Sequence, residues 1–235
     1  MTCSKSLAEL YSKDGLNFNY IRNGIDVEKY NVCTNKKEIR KRQGLCDDTF
    51  IFIYTGQFIK RKNIDFILDN FVELYKHNDR VMLLLLGDGP ELVRLKTKYK
   101  QYDNIRFLGR KTNVDEYLYA SDVYLSASKS EGLPNGVLEA LSCGLPVLLS
   151  DIPQHREILD GYGRCGYSFS LNDSRYFKEL INRIVNHKSI HLLSAEARRI
   201  AETNFSSIEM SSEYQNIYCK IMENNPNMKR IKNEV

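Results

Sequence analysis

Two glutamates, Glu131 and Glu139, lie with seven residues between them in a stretch where a loop gives way to a helix. From Ser126 the chain runs through small and polar residues to Gly132 and Pro134. An amphipathic segment from Asn135 to Cys143 follows, and Gly144 stops it. Pro134 falls near the first helical turn, where its missing N–H costs nothing. The amides just after it are the unpaired donors of a helix start, suited to hold an anion. Carboxylates beside such donors accept charge-assisted hydrogen bonds from hydroxyls, which suits ribose and hexose rings. A plainer reading also fits. Ser128-Lys129-Ser130-Glu131 matches a Ser-x-x-Glu capping box, and an acid near a helix start gains about 0.3–1 kcal/mol. On residue types alone, both readings stand.

A second group with chemical potential is Gly56-Gln57-Phe58-Ile59-Lys60-Arg61-Lys62-Asn63. Its glycine lets backbone approach a ligand and its clustered cations favour phosphate, although a solvated basic turn would look the same. Gly87-Asp88-Gly89-Pro90 is a tight strand-to-helix turn, with Gly87 a candidate to touch a ligand. His155 invites a role as a base, but a histidine at a helix start is more often a bystander. No Asp-x-Asp pair at a strand end offers a metal clamp, so no metal site and no cofactor are expected.

These groups need a scaffold, and the sequence describes one. Apolar runs at Phe50–Tyr54, Val81–Leu86, Ile105–Leu108, around Asp122 to Leu125, Val147–Leu149 and Tyr167–Phe169 read as strands. Between them lie helical patterns, the clearest from Ile64 to Tyr75 with apolar positions at Ile64, Ile67, Leu68, Phe71, Val72 and Tyr75. Shorter helices are expected around Lys36–Gln43, up to Tyr99, over Val114–Tyr119 and near Gln154–Leu159, with two or three closing helices over Ser174–Met222. Strands alternating with helices predict an α/β fold with a doubly wound parallel sheet, buried on both faces. The loops at the strands' C-terminal ends should then form one crevice. At the start, a helix over Leu7–Ser12 and a strand over Phe18–Ile21 precede the Asn23-Gly24 turn.

The chain has 235 residues, 42% of them hydrophobic and 27% charged, an ordinary globular profile with length for a substantial core. No apolar run approaches the roughly 20 residues of a membrane helix, and the first residues lack a secretory signal's apolar core. The six cysteines show neither a C-x-x-C pair nor a histidine at metal spacing, and read as reduced thiols. A net charge of +4 does not suggest a nucleic-acid partner. The basic runs at Lys36–Arg42 and Lys96–Lys100 could favour phosphates or an anionic membrane surface, but read more simply as solvated helix faces.

Glu131-Gly132-Leu133-Pro134-Asn135 followed by Glu139-Ala140-Leu141-Ser142-Cys143-Gly144-Leu145-Pro146-Val147 closely resembles the signature of retaining GT-B glycosyltransferases of the group 1 family (glycosyltransferase family 4). The resemblance covers roughly residues 20–220. It implies a Rossmann-like donor-binding half, with a nucleoside-diphosphate sugar as substrate and a saccharide or lipid-linked acceptor. It marks Glu131 and Lys62 as candidate catalytic residues, Glu131 holding the donor sugar and Glu139 the ribose. Lys62 would contact the diphosphate with the amides of Asn135, Gly136 and Val137. Gly56 and Gly87 would approach the nucleotide, and the Arg110 backbone would meet the base. At the position of the family's arginine this chain has Gln57, with Lys60 or Arg61 as substitutes.

By the same resemblance, residues 1–24 are a remnant of an N-terminal domain and the interdomain link, 25–222 the donor domain, and 223–235 a polar tail. The stripe Ile208, Met210, Tyr214, Ile217, Tyr218 and Ile221 would then be left exposed, inviting an N-terminal-half partner or self-association. The expected role is bacterial surface polysaccharide synthesis, in the cytoplasm, with peripheral attachment at the inner membrane left open. The alternative is a non-catalytic nucleotide-sugar binding module or subunit. A dinucleotide-binding protein ranks lower, because no G-x-G-x-x-G follows the first strand.

Overall fold

A computed structural model describes residues 1–12, 18–32, 35–76, 78–187 and 189–224. The chain begins with α1 (Lys5–Ser12) and α2 (Lys36–Arg42). Strands and helices then alternate: β1 (Phe50–Thr55), a 3₁₀ turn (Lys60–Lys62), α3 (Ile64–Tyr75), β2 (Val81–Leu86), α4 (Leu92–Lys98), β3 (Ile105–Gly109), α5 (Val114–Ala120) and β4 (Val123–Ser126). They continue with α6 (Asn135–Ser142), β5 (Val147–Ser150), α7 (Pro153–Leu159) and β6 (Gly166–Phe169). The described residues end with α8 (Ser174–Val185), α9 (Ile190–Asn204) and α10 (Ser207–Asn224).

All strand pairs are parallel, in the order β3-β2-β1-β4-β5-β6. Period-two alternation sends Ile51, Ile53, Leu84, Tyr124 and Leu149 to one face, where Leu118, Leu138, Leu141 and Ile200 cover them. Phe52, Tyr54, Leu83, Leu125 and Leu148 point to the other, against Ile67, Phe71, Leu95, Phe177 and Ile181. Both faces are dry, which accounts for the unbroken apolar runs in the central strands. The strand order reverses between β1 and β4, and in such sheets ligands bind beyond the carboxyl ends at that switch point.

The start of the chain departs from expectation. Phe18–Ile21 forms no strand; among the described residues Tyr20 makes one isolated parallel bridge to Thr2, and Ile25 another to Ser206. Without a longer neighbour to pair with, an extended segment stays a bridge. The described residues before Asn23 are nonetheless fastened down. The Lys5 and Ser6 amides at the start of α1 donate to the Glu157 carboxylate at 3.1 Å each, and Arg22 Nε lies 3.5 Å from the same group.

The basic run on α2 is also more than a solvated face. Arg40 is buried, with Nη2 2.7 Å from Asp122 Oδ2 and Nε 2.8 Å from the Ala120 carbonyl, so it pins α2 to the approach of β4. On α10, Ile208, Tyr218 and Ile221 are exposed, as the stripe predicts. The tail beyond Asn224 lies outside the described residues.

Candidate functional site

Loops from the C-terminal strand ends are laced together by backbone. The Gly56 amide donates to the Leu86 carbonyl at 3.0 Å, the Gly87 amide to Gly109 at 2.9 Å, and the Phe58 amide to Asp88 at 2.8 Å. Gly87 has a φ of +135°, and a Cβ there would fall 1.8 Å from the Gly56 oxygen, so no other residue fits this crossing. The loops enclose a cleft of about 460 Å³. Six of the residues singled out from sequence line it together: Gly56, Gln57, Gly87, Arg110, Gly136 and Glu139. Thr55, Asp88, Lys111 and Val114 complete much of the wall.

Helix α6 begins at Asn135, with Pro134 at the cap position and no side chain capping it. The Val137 and Leu138 amides turn back to the Pro134 carbonyl at 3.0 and 3.3 Å. Val137 is therefore not available as expected: its amide is spent inside the turn and its side chain is fully buried. Asn135 and Gly136 carry the two amides ahead of it. At Gly136 a Cβ would lie 2.6 Å from the Tyr124 hydroxyl and 2.8 Å from Thr55 Oγ1, so its hydrogen lets the helix start press onto the ends of β1 and β4. The late start also removes the capping-box reading. Glu131 precedes Pro134, and its side chain instead accepts from Arg61 and Lys62.

Glu131 is buried, and two cations from the turn after β1 hold it. Lys62 Nζ stands 2.5 Å from Oε1 and Arg61 Nη1 3.0 Å from Oε2. Arg61 also donates to the Ser130 carbonyl, and its own carbonyl accepts from the Lys129 amide at 2.9 Å, which locks the two loops together. Burial alone would raise the Glu131 pKa. Lys62, Ser128 and the Arg61 charge outweigh it and hold the carboxyl below its usual range. Lys62 and Glu131 thus sit as a pair beside the cleft rather than among its lining residues.

Glu139 has the opposite environment. Burial raises its pKa, and a hydrogen bond from Tyr30 with the charge of Lys29 offsets this only in part. Tyr30 was not apparent from sequence, nor was Asn23, whose amide nitrogen donates to the Leu133 carbonyl at 3.2 Å and to Asn135 Oδ1 at 3.0 Å. His155 is fully buried, its Nδ1 2.9 Å from the Ser150 carbonyl; burial pushes its pKa down to about 4, so it is neutral near pH 7. Among the described residues no group of three or more His, Cys, Asp or Glu is placed to hold a metal. No helix there is long and apolar enough to cross a membrane.

The family model "Glycosyl transferases group 1" matches residues 35–205. An Escherichia coli protein named UDP-Gal:alpha-D-GlcNAc-diphosphoundecaprenol alpha-1,3-galactosyltransferase is 27% identical over 226 residues, 93% of this chain and 58% of that protein. The Bacillus anthracis N-acetyl-alpha-D-glucosaminyl L-malate synthase is 28% identical over 196 residues, 82% of this chain and 51% of its own. Among solved structures, Anabaena HepE in complex with UDP and glucose superposes with a TM-score of 0.80 at 18% identity, covering 93% of this chain and 62% of that one. The chain thus spans between 51% and 58% of the length of these two curated relatives.

Proposed function

Because the chain belongs to the group 1 glycosyl transferases, we propose that it is the donor-binding half of a retaining GT-B glycosyltransferase that uses a nucleoside-diphosphate sugar. The single observation that carries this reading is the cleft at the switch point. There Gly56, Gly87, the Gly136 end of α6 and the Glu139 carboxylate meet around a space of about 460 Å³. A cleft of that size accepts a nucleotide, with hydroxyl acceptors and phosphate donors on one wall.

In this reading Glu139 accepts hydrogen bonds from the ribose hydroxyls, and the Arg110 backbone meets the base. The Asn135 and Gly136 amides and Lys62 receive the diphosphate without a metal ion. Arg61 substitutes for the arginine that Gln57 replaces, since it already reaches the Glu131 loop. Glu131 holds the donor sugar. A carboxylate paired with two cations is a weak base and a weak nucleophile, which suits holding better than attack. Retention would then come from the donor's own phosphate, placed against the incoming hydroxyl of a saccharide or lipid-linked acceptor. Transfer, and a role in bacterial surface polysaccharide or glycolipid synthesis, are proposed for the whole enzyme to which this half contributes.

Calorimetry with UDP, GDP, ADP and their nucleosides tests the assignment. One diphosphate should bind at least roughly tenfold more tightly than its nucleoside, as charge-assisted bonds to phosphate require, and EDTA should leave that affinity unchanged. Equal affinity for nucleoside and diphosphate would overturn the phosphate site, and loss of binding in EDTA would overturn the metal-free account.

A further inference from the structure

Three serines and a histidine form a buried polar chain behind the loop that leads to Glu131. Ser126 ends β4, Ser150 ends β5, and His155 lies in the first turn of α7. Together with Ser128, none of them is more than 3% exposed. Ser150 Oγ donates to the Ser128 carbonyl at 2.6 Å, and the Ser126 and Ser128 hydroxyls are 3.2 Å apart. His155 Nδ1 stands 2.9 Å from the Ser150 carbonyl and 3.1 Å from Ser150 Oγ.

These contacts decide the tautomer. A carbonyl only accepts, so the Ser150 hydroxyl proton is committed to Ser128, and Ser150 Oγ can only accept from the ring. Nδ1 thus faces two acceptors and carries the proton, which leaves Nε2 a bare acceptor. Nε2 is buried with no hydrogen-bond partner among the described residues. An unpaired buried acceptor is a cost that an apolar side chain would avoid, so the side of the ring that contributes is Nδ1–H.

What Nδ1–H supports is the loop, which is anchored from two sides. From β5, Ser150 holds the Ser128 carbonyl. From the turn after β1, the Arg61 carbonyl accepts from the Lys129 amide at 2.9 Å, and Arg61 Nη1 donates to the Ser130 carbonyl. Both anchors act within three residues of Glu131, whose carboxylate meets Lys62 at 2.5 Å and Arg61 at 3.0 Å. The two anchors differ in how they meet a ligand. The Arg61 side chain is 42% exposed, and on the proposed reading a diphosphate draws on it. The His155 anchor is fully buried and uncharged near pH 7, so an arriving anion leaves it in place.

We propose that His155 is a positioning residue for Glu131: through Ser150 and Ser128, its Nδ1–H keeps the 126–131 loop in register when a donor engages Arg61 and Lys62. The inference rests on the reading of Glu131 as the group that holds the donor sugar.

The test uses the 235-residue chain as wild type, His155→Asn, His155→Leu, Ser150→Ala and Glu131→Gln. Asparagine keeps a donor near the Nδ1 position and lacks Nε2; leucine keeps bulk and lacks both. Calorimetry compares UDP-glucose, UDP-N-acetylglucosamine and GDP-mannose, each with its own diphosphate, and so reads the affinity that the sugar adds. Glu131→Gln should remove most of that gain, roughly tenfold. His155→Leu and Ser150→Ala should lower it roughly three- to tenfold, and His155→Asn should restore it even if its melting temperature is lower. Nitrogen-15 NMR of the wild type should show a protonated Nδ1 and a bare Nε2 at neutral pH. With diphosphate bound, the Lys129 amide should exchange faster in His155→Leu but not in His155→Asn.

A wild-type ring protonated on Nε2 would overturn the proposal at its base. If Glu131→Gln removes the sugar's gain and His155→Leu keeps it, the positioning role is wrong and the sugar site stands. If leucine and asparagine weaken nucleotide sugar and diphosphate by the same factor, His155 only fills space, which also overturns it. A sugar that adds no affinity in the wild type, or a gain that survives Glu131→Gln, overturns the reading of Glu131 and the inference with it.

Discussion

Glu131 and Glu139 belong to one loop-and-helix segment, and the protein treats their charges in opposite ways. At Glu131, Lys62 at 2.5 Å and Arg61 at 3.0 Å compensate the charge before any ligand arrives, and the carboxyl is held ionised. At Glu139 burial raises the pKa, and the Tyr30 hydroxyl and the charge of Lys29 offset this only in part. A buried charge without full compensation costs free energy, so its environment must have another purpose. On the proposed reading, hydroxyls arriving at Glu139 would relieve an existing penalty. A group arriving at Glu131 joins a pair already satisfied, and its phosphate competes for cations the carboxylate already holds. The first corner holds the loops together through ion pairs already formed; on the proposed reading the second is open to receive hydroxyls.

The largest effect expected from this contrast is on folding, at Glu131. Glu131→Gln would leave Lys62, whose side chain is 17% exposed, and Arg61 without their counter-charge. Breaking such a pair should cost about 2–3 kcal/mol, below the full value for a dry pair because the cations retain some water. The sign with pH is fixed by the lowered pKa. The folded-state value lies below the unfolded one, so the stabilisation is present above the unfolded carboxylate range and lost as pH falls through the folded value. Urea unfolding of both proteins should show a gap at neutral pH that closes in acid. A gap independent of pH would mean that shape, not charge, is lost.

A smaller effect is expected from the cation side. Lys62→Met leaves Glu131 with Arg61 and Ser128, so the loss should be about 1–2 kcal/mol. It also separates the two corners functionally. Nucleoside diphosphate affinity should fall roughly tenfold while nucleoside affinity holds, because Glu139 and the cleft wall are untouched. Parallel losses for nucleoside and diphosphate would mean that the corners are one unit.

Much of this arrangement is legible in the sequence. Ile64–Tyr75 and Val81–Leu86 keep their expected bounds, because an amphipathic period and an unbroken apolar run are local signals. The turns at Gly56, Gly87 and Arg110 could be assigned to one crevice, because parallel topology fixes where they end. What escaped depends on contacts between residues distant in sequence. Tyr30 sits in a polar segment with no periodicity, and nothing local ties it to Glu139. Arg40 lies in a run that looks solvated, yet Asp122 draws it inside. The Ser128–Glu131 spacing has the form of a cap, but the helix starts beyond it, and Glu131 pairs with Lys62 and Arg61 instead. The closing of Glu131 by Lys62 and Arg61 needs β1 and β4 adjacent, a fact of topology and not of either motif.

The most discriminating measurement concerns the smallest change. Glu139→Gln keeps the shape of the side chain while removing the charge. The folded-state pKa of Glu139 lies above the unfolded one, so ionising it costs stability as pH rises through the folded value. At neutral pH the variant should therefore be as stable as the wild type or more so, by up to about 1 kcal/mol, which is about 2–4 °C in melting temperature for a chain of this size. In acid, where Glu139 is itself neutral, the difference should vanish. The same substitution should weaken the nucleoside diphosphate roughly tenfold, because hydroxyls lose a charged acceptor. Gaining stability while losing ligand is the mark of a group kept for binding at the expense of the fold. If Glu139→Gln instead destabilised the chain as much as Glu131→Gln, both carboxylates would be structural ion-pair partners, and the cleft would have no receiving side.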